Sequence, residues 1–217
     1  MATTVITNRY RPVVAPRLPS APQEYNAQYQ EQFMNILRLY FNQLDNLTGV
    51  VLGESGGRFI RFPYGAFSSD QDQTTTANTA TLMTLNTTDF ANQVSISSSK
   101  ITVVNAGLYN LQFSVQLDNA DNAPEDVFIW LKQNGVDIVG STGRVGMPAR
   151  KSPGNSFHAI YGWNYFVEMQ ASDYIEIYWS TTNAAVTIQY YPASGTPTKP
   201  STQSVVATLS FVSALST

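Results

Sequence analysis

His158 is the only histidine in a chain that has no cysteine. Any reaction driven by a paired nucleophile and imidazole base must therefore pass through this one ring. From Phe157 to Met169 the odd positions Phe157, Ala159, Tyr161, Trp163, Tyr165, Val167 and Met169 are apolar. Strand alternation then turns His158 to the other side, with Ile160, Gly162, Asn164 and Phe166. No Ser-x-Gly elbow and no carboxylate pair adjoins it in sequence. The pattern predicts a hydrogen-bonded strand histidine and no enzyme. One imidazole without a thiolate cannot fill a usual zinc shell. No Gly-rich loop follows a strand and opens a helix to hold phosphate, so no cofactor is expected.

Three loops carry the remaining chemistry. Asp118 to Asp126 places Asp118, Asp121, Glu125 and Asp126 within nine residues. Calcium takes six to eight oxygens, and this loop is the best cation candidate, a solvated turn being the alternative. Ser141 to Asn155 carries Arg144, Arg150 and Lys151, and Pro192 to Gln203 carries Lys199 among three prolines. Binding residues gather on loops held by a rigid scaffold, so these four cations are candidate surface-binding residues for an acidic glycan or an acidic neighbour. The alternative is a pair of solvated connections. Asn46-Leu47-Thr48 and Asn86-Thr87-Thr88 match the glycosylation pattern by chance if the chain is not secreted.

Composition limits what can position these loops. Hydrophobic residues make up 43% of the 217 residues and charged residues 12%, against about 25% charged in an ordinary soluble domain. Ser, Thr, Asn and Gln fill the deficit. A net charge of −3 gives no general attraction to nucleic acid or an anionic membrane surface. Without cysteine there is no disulfide framework. The opening MATTVITNRYRPVV has no charged-then-apolar leader and no run of spanning length, so folding in the compartment of synthesis is the expectation.

The chain reads as an arm, a helix, a hinge and a sandwich. Residues 1–22 hold Pro12, Pro16, Pro19 and Pro22, which exclude a continuous helix or central strand. Arg9, Tyr10, Arg11, Arg17 and Leu18 are the expected anchoring groups of an extended arm, with a disordered tail as the alternative. Residues 23–48 form an expected amphipathic helix, started near Ser20 to Pro22 with Glu24 in its first turn. Its stripe is Tyr25, Tyr29, Phe33, Ile36, Tyr40, Leu44 and Leu47. That spacing is an eleven-residue repeat of roughly 3.67 residues per turn, suited to a straight bundle of helices. A stripe this aromatic needs a large apolar cover, either the chain's own domain or other copies of the helix. Gly49 breaks the helix, and residues 49–57 make a Gly-rich hinge.

From residue 58 to 217 strand alternation dominates. Expected strands are Phe59 to Phe62, Thr81 to Leu85, Ile101 to Val104, Leu108 to Leu117, Val127 to Gln133, Phe157 to Met169, Tyr174 to Thr181, Val186 to Tyr191 and Val205 to Ser213. Asn134-Gly135 suits a two-residue hairpin. Many short strands with no helix between them predict an all-β, antiparallel jelly-roll sandwich. Tyr174 and Tyr178 face opposite to Ile175, Ile177 and Trp179, which predicts a second sheet face covered by a neighbour.

Four segments carry a resemblance: KITVVNAGLYNLQFSVQL (100–117), VFIWLKQNGVDIVGS (127–141), FVEMQASDYIEIYW (166–179) and SVVATLSFVSAL (204–215). In this succession the region resembles the trimeric jelly roll of the complement globular-head and tumour-necrosis-factor superfamily. Ser172 stands where that pattern has a glycine before Asp173. LPSAPQEYNAQYQEQFMNILRLYFNQLDN (18–46) resembles the N-terminal segment of virion structural proteins of tailed phages that infect marine cyanobacteria. The resemblance implies a homotrimeric virion protein assembled in a bacterial cytoplasm. Residues 1–22 would hold it to other virion proteins, and the sandwich would face outward as a short tail fibre or a capsid decoration, with host-surface glycan as a partner. The competing expectation is a soluble glycan- or ligand-binding jelly-roll module of cellular origin.

Overall fold

The computed structural model describes residues 13–52 and 62–215. The chain divides into two units, Met1–Arg61 and Phe62–Thr217. Arg9, Tyr10 and Arg11 of the expected arm, Gly53 to Gly57 of the expected hinge and Phe59 to Arg61 of the first expected strand lie outside the described residues.

The described residues of the first unit contain one helix, α1 (Ala27–Leu52). It starts four residues later than the sequence signals at Ser20 to Glu24 predict. Asn26 is the cap: its Oδ1 accepts a hydrogen bond from the Tyr29 N–H at 3.1 Å, satisfying one of the free donors of the first turn. Tyr25 therefore precedes the helix and is 85% exposed. At the other end Gly49 does not stop the helix, which runs on to Leu52. One internal glycine costs about 1 kcal/mol relative to alanine, too little to outweigh the hydrogen bonds of the continuing helix. The expected hinge thus loses its first four residues to α1. Residues 13–26 have no regular secondary structure. Tyr29 Oη donates to the Pro19 carbonyl at 3.3 Å, and Arg17, Leu18, Pro19 and Ser20 share an open groove of about 550 Å³ with Gln32, Asn35 and Ile36. This stretch of the arm lies back on the helix instead of extending away from it.

The second unit is an all-β, antiparallel sandwich. Its first sheet runs β10 (Phe157–Met169), β6 (Gly107–Asn119), β15 (Val205–Ser213), β1 (Tyr64–Ser69), β3 (Thr87–Asn92), with β12 (Val186–Ile188) beside the end of β6. The second runs β4 (Val94–Ser97), β5 (Lys100–Val103), β11 (Tyr174–Thr181), β7 (Glu125–Gln133), β8 (Val136–Asp137). In it β2 (Thr81–Leu82) pairs with β11 and β9 (Gly143–Met147) with β7. A small hairpin joins β13 (Ser194–Gly195) to β14 (Thr198–Lys199).

Alternation builds the core between the sheets. Tyr109, Leu111, Phe113, Val115 and Leu117 of β6 are buried against Val127, Ile129 and Leu131 of β7 and Ile175, Ile177 and Trp179 of β11, with Val205, Ala207 and Leu209 of β15 in the same cluster. Asn134 (φ 53°) and Gly135 (φ 80°) make the expected two-residue hairpin between β7 and β8. Ser172 adopts φ 72° where a glycine would be unstrained. The turn is held by Asp173, whose carboxylate accepts from the Gln170 N–H, Gln133 Nε2 and Asn134 Nδ2 at 2.7 to 2.9 Å. The expected loop from Ser141 to Asn155 contains β9, and Thr81 to Leu85 and Val186 to Tyr191 are strand only at their starts.

Candidate functional site

Pairing register fixes which side chains share the two outward faces. On the first sheet, one outward row is Phe166, Asn110, Ser210 and Tyr64. The next is Asn164, Gln112, Thr208 and Ala66, and then Gly162, Ser114, Val206 and Ser68. Ile160 lies opposite Gln116, and His158 opposite Asp118. Ile160 is 65% and Phe166 55% exposed, and Tyr64, Val206 and Val212 are also exposed. Between the His158–Asp118 pair at one end and Glu168 at the other, the outward positions of β10, β6 and β15 carry no charge.

The second sheet is dressed differently. Lys100 Nζ sits 4.3 Å from the Tyr174 ring centre, Lys132 Nζ 4.6 Å from that of Tyr178, and the Arg144 guanidinium 5.9 Å from that of Phe128. Trp130 lies beside Tyr178, with ring centres 5.8 Å apart, and donates to Asp137 Oδ1 at 2.7 Å. Long cationic side chains cover the aromatic rings while keeping their charges in water. Tyr174 and Tyr178 are half-buried, each with a lysine of its own chain over its ring. The uncharged stretch is on the opposite sheet, over β10, β6 and β15, with Asp89 of β3 accepting from the Ser68 hydroxyl beyond it.

The sandwich is also open along one edge. β10 pairs with β6 on one side, and no strand among the described residues pairs with the other. β9 has five residues to set against the thirteen of β10. Tyr161, Trp163 and Tyr165, on the core side of β10, remain half-buried. Trp163 and Tyr165 form one wall of a shallow cleft of about 380 Å³ that includes Thr142, Gly143 and Arg144. A Cβ at Gly143 would come 2.5 Å from the Trp163 ring, so a larger residue there must displace the ring.

The candidate binding loops gather at the end of the sandwich away from Pro63. Tyr190 N–H donates to Asp72 Oδ1, Ala120 N–H to the Ala185 carbonyl, and Arg150 N–H to the Asp121 carbonyl. Among the four predicted cations, Arg144 is not free: it makes two hydrogen bonds to the Asp126 carboxylate, at 3.0 and 2.6 Å. These bonds hold the Asp126 carboxyl below its ordinary pKa. Arg150 donates to the Ala120 carbonyl at 3.3 Å, and Lys199 to the Pro192 carbonyl at 2.7 Å. Lys151 is exposed, and among the described residues it makes no ion pair.

The four carboxylates proposed for calcium are not gathered. Asp118 faces His158, and Asp126 faces Arg144. Asp121 accepts from the Ala123 N–H and Asn183 Nδ2, and Glu125 from Asn183 Nδ2 and Thr182 Oγ1. Among the described residues no three carboxylate or imidazole groups converge as a metal site. Protein donors occupy the oxygens that a cation would need.

His158 has partners that its sequence neighbourhood does not reveal. Its Nδ1 is 2.9 Å from Asp118 Oδ2 and 2.9 Å from Tyr191 Oη. Two bare acceptors do not approach this closely, so Nδ1 carries a proton toward Asp118. Burial, and after it the Asp118 carboxylate, push the Tyr191 hydroxyl up to about 12. No other side chain among the described residues is hydrogen-bonded to the ring.

On α1, the predicted residues Tyr29, Phe33, Ile36, Tyr40, Leu44 and Leu47 do share a stripe, continued by Leu37 and Val51. All are half-buried. No described side chain of α1 is buried, and Met34, Leu39 and Phe41 are more than half exposed. No protein-family model matches the chain, and no curated protein matches its sequence.

Proposed function

We propose that this chain is a non-enzymatic structural protein that assembles as a homotrimer through α1 and the uncharged face of its first sheet, and displays the far-end loops of the sandwich. The observation that carries the proposal is the apolar stripe of α1, whose residues are half-buried and none of them fully buried. A 26-residue helix bearing aromatic and aliphatic groups at bundle spacing, with no described side chain buried, has the surface of a helix that packs on copies of itself. The repeat of roughly 3.67 residues per turn supports a nearly straight bundle.

The sandwich supplies further support. Taking β1, β5, β6, β7, β9, β10, β11 and β15 as strands one to eight, the sheets read 6-3-8-1 and 2-7-4-5. That order supports reading the sandwich as a jelly roll with two Greek keys, an architecture of capsid and lectin domains. An uncharged face and an open aromatic edge are two different patches on one chain. Contact between unlike patches is head-to-tail, and a closed ring is the outcome that leaves neither patch uncovered.

The resemblance of residues 18–46 to phage virion proteins supports a place in a virion, as a short tail fibre or a capsid decoration, with residues 1–22 holding other virion proteins. Host-surface glycan is the proposed partner of the displayed loops. The test uses the absence of native cysteine. Ile36→Cys, on the stripe, should give disulfide-linked pairs of chains under mild oxidation. Asn42→Cys, on the exposed side, should give none. Equal cross-linking at both positions, or none at position 36, overturns the proposal.

A further inference from the structure

We propose that the outer face of the second sheet holds a saccharide site built around Trp130 and Glu176, and that its ligand is a neutral hexose oligosaccharide. The inference takes the glycan partner proposed above as its premise and moves the contact from the far-end loops to the sheet. It does not depend on how copies assemble, since this face is on the other sheet from the proposed assembly face.

Strand register sets the site. Ile175, Ile177 and Trp179 of β11 enter the core, so Tyr174, Glu176 and Tyr178 are successive outward residues. Lys132 of β7 stands opposite Glu176, and Trp130 opposite Tyr178. On the other side Ile175 pairs with Ile101 of β5, which brings Lys100 beside Glu176. Glu176 is only 5% exposed although it points away from the core. Neither flanking lysine pairs with it. The Lys132 ammonium lies 3.3 Å from Asp137 Oδ1, and the Lys100 ammonium sits over the Tyr174 ring. Among the described residues no side chain forms an ion pair or a hydrogen bond with the Glu176 carboxylate. A carboxylate so little exposed is an acceptor that a ligand hydroxyl would satisfy.

Charge and ring geometry choose the ligand. Two cations, Lys100 and Lys132, and two anions, Glu176 and Asp137, leave the patch without net charge, so it favours neither an acidic nor a basic ligand. Trp130 and Tyr178 set two rings side by side, with centres 5.8 Å apart. Asp137 accepts from the Trp130 Nε1–H at 2.7 Å and holds the indole in place. The apolar C–H face of a pyranose ring stacks on such a platform, and a few polar groups beside it fix the orientation. Glu176 accepts from one hydroxyl. Lys100 donates to another, giving up only a weak contact with the Tyr174 ring. A ligand that is apolar on one side, hydroxylated at its rim and uncharged is a neutral sugar.

The experiment titrates the full chain with maltohexaose, cellohexaose, mannohexaose and a heparin hexasaccharide, reading tryptophan fluorescence and heat. At least one neutral oligosaccharide should bind and shift the emission. Glu176→Gln keeps the shape of the side chain and should weaken binding by roughly tenfold, the loss of one hydrogen bond to a charged group. Trp130→Ala should weaken it by at least as much. Lys151→Ala combined with Lys199→Ala, in the far-end loops, should leave it unchanged. Thermal melts of all variants check the fold, and Glu176→Gln carries the test if Trp130→Ala does not fold. A neutral sugar that both site variants bind as tightly as the wild type, or that only the loop variant loses, overturns this inference and leaves the glycan reading standing. Heparin bound in preference to every neutral sugar also overturns it. A chain that binds no member of the panel removes both.

Discussion

Replacing Ile36 by alanine probes the helix stripe where a magnitude can be worked out. The change removes three carbons from a side chain that the single chain leaves half-buried. Full burial of those carbons is worth about 0.8 kcal/mol each. Because part of the surface is already covered, about 1 kcal/mol per copy remains to be gained on assembly. Three copies lose about 3 kcal/mol, or roughly a hundredfold in the association constant, at 1.4 kcal/mol per factor of ten. In a monomer–trimer equilibrium the midpoint concentration varies as the inverse square root of that constant, so it should rise by roughly tenfold. Helix content should not fall, since alanine has the best helix propensity. Arg38→Ala is the control: Arg38 is exposed and donates to Asn35 Oδ1 at 3.0 Å. Mass photometry over a dilution series reads the midpoint, and circular dichroism reads the helix. Equal midpoints for the two variants would refute the assignment of the stripe to a contact between copies.

Two further predictions concern the sandwich. Gly143→Ala sets a Cβ against the Trp163 ring and should destabilise by about 1–3 kcal/mol, as overpacking does, lowering Tm by roughly 2–12 °C; an unchanged melt would show that the ring has room to move. Burial raises the Asp173 carboxyl, and hydrogen bonds from Asn134, the Gln170 N–H and Gln133 outweigh it, leaving its pKa below the ordinary value. A depressed folded-state pKa stabilises above the unfolded-state value, and the effect is lost as pH falls through the folded-state value. Asp173→Ala should therefore cost about 2 kcal/mol at pH 7, and the gap from wild type should narrow below roughly pH 4; urea melts at pH 7 and pH 3 check this, and a gap that is constant or wider in acid contradicts it.

The strands that were legible from sequence are those with strong alternation. β10, β11 and β15 have the bounds that their patterns predict, because every second residue is large and apolar. β9 was hidden in a run of Gly, Arg and Pro, as only Val145 and Met147 enter the core. β1 and β3 were hidden by small and polar residues, Tyr-Gly-Ala-Phe-Ser-Ser and Thr-Thr-Asp-Phe-Ala-Asn. The helix stripe was legible, while its ends were not: Asn26 supplies the cap instead of the Ser-Ala-Pro signal before it, and Gly49 alone is too weak to stop the helix. The partners of His158 were not legible either, because the pairing of β10 with β6 joins residues forty positions apart. The choice of assembly face turned on the same kind of distant pairing. Sequence shows that β11 has two apolar sides, and only the structure shows Lys100 and Lys132 over the rings of Tyr174 and Tyr178.

The mass of the full-length chain in dilute solution tests the central claim most directly. Sedimentation equilibrium should give close to three times the 23.9 kDa of one chain, with the mass falling only on strong dilution. A single mass of 23.9 kDa across the concentration range, with α1 still helical, would contradict the account.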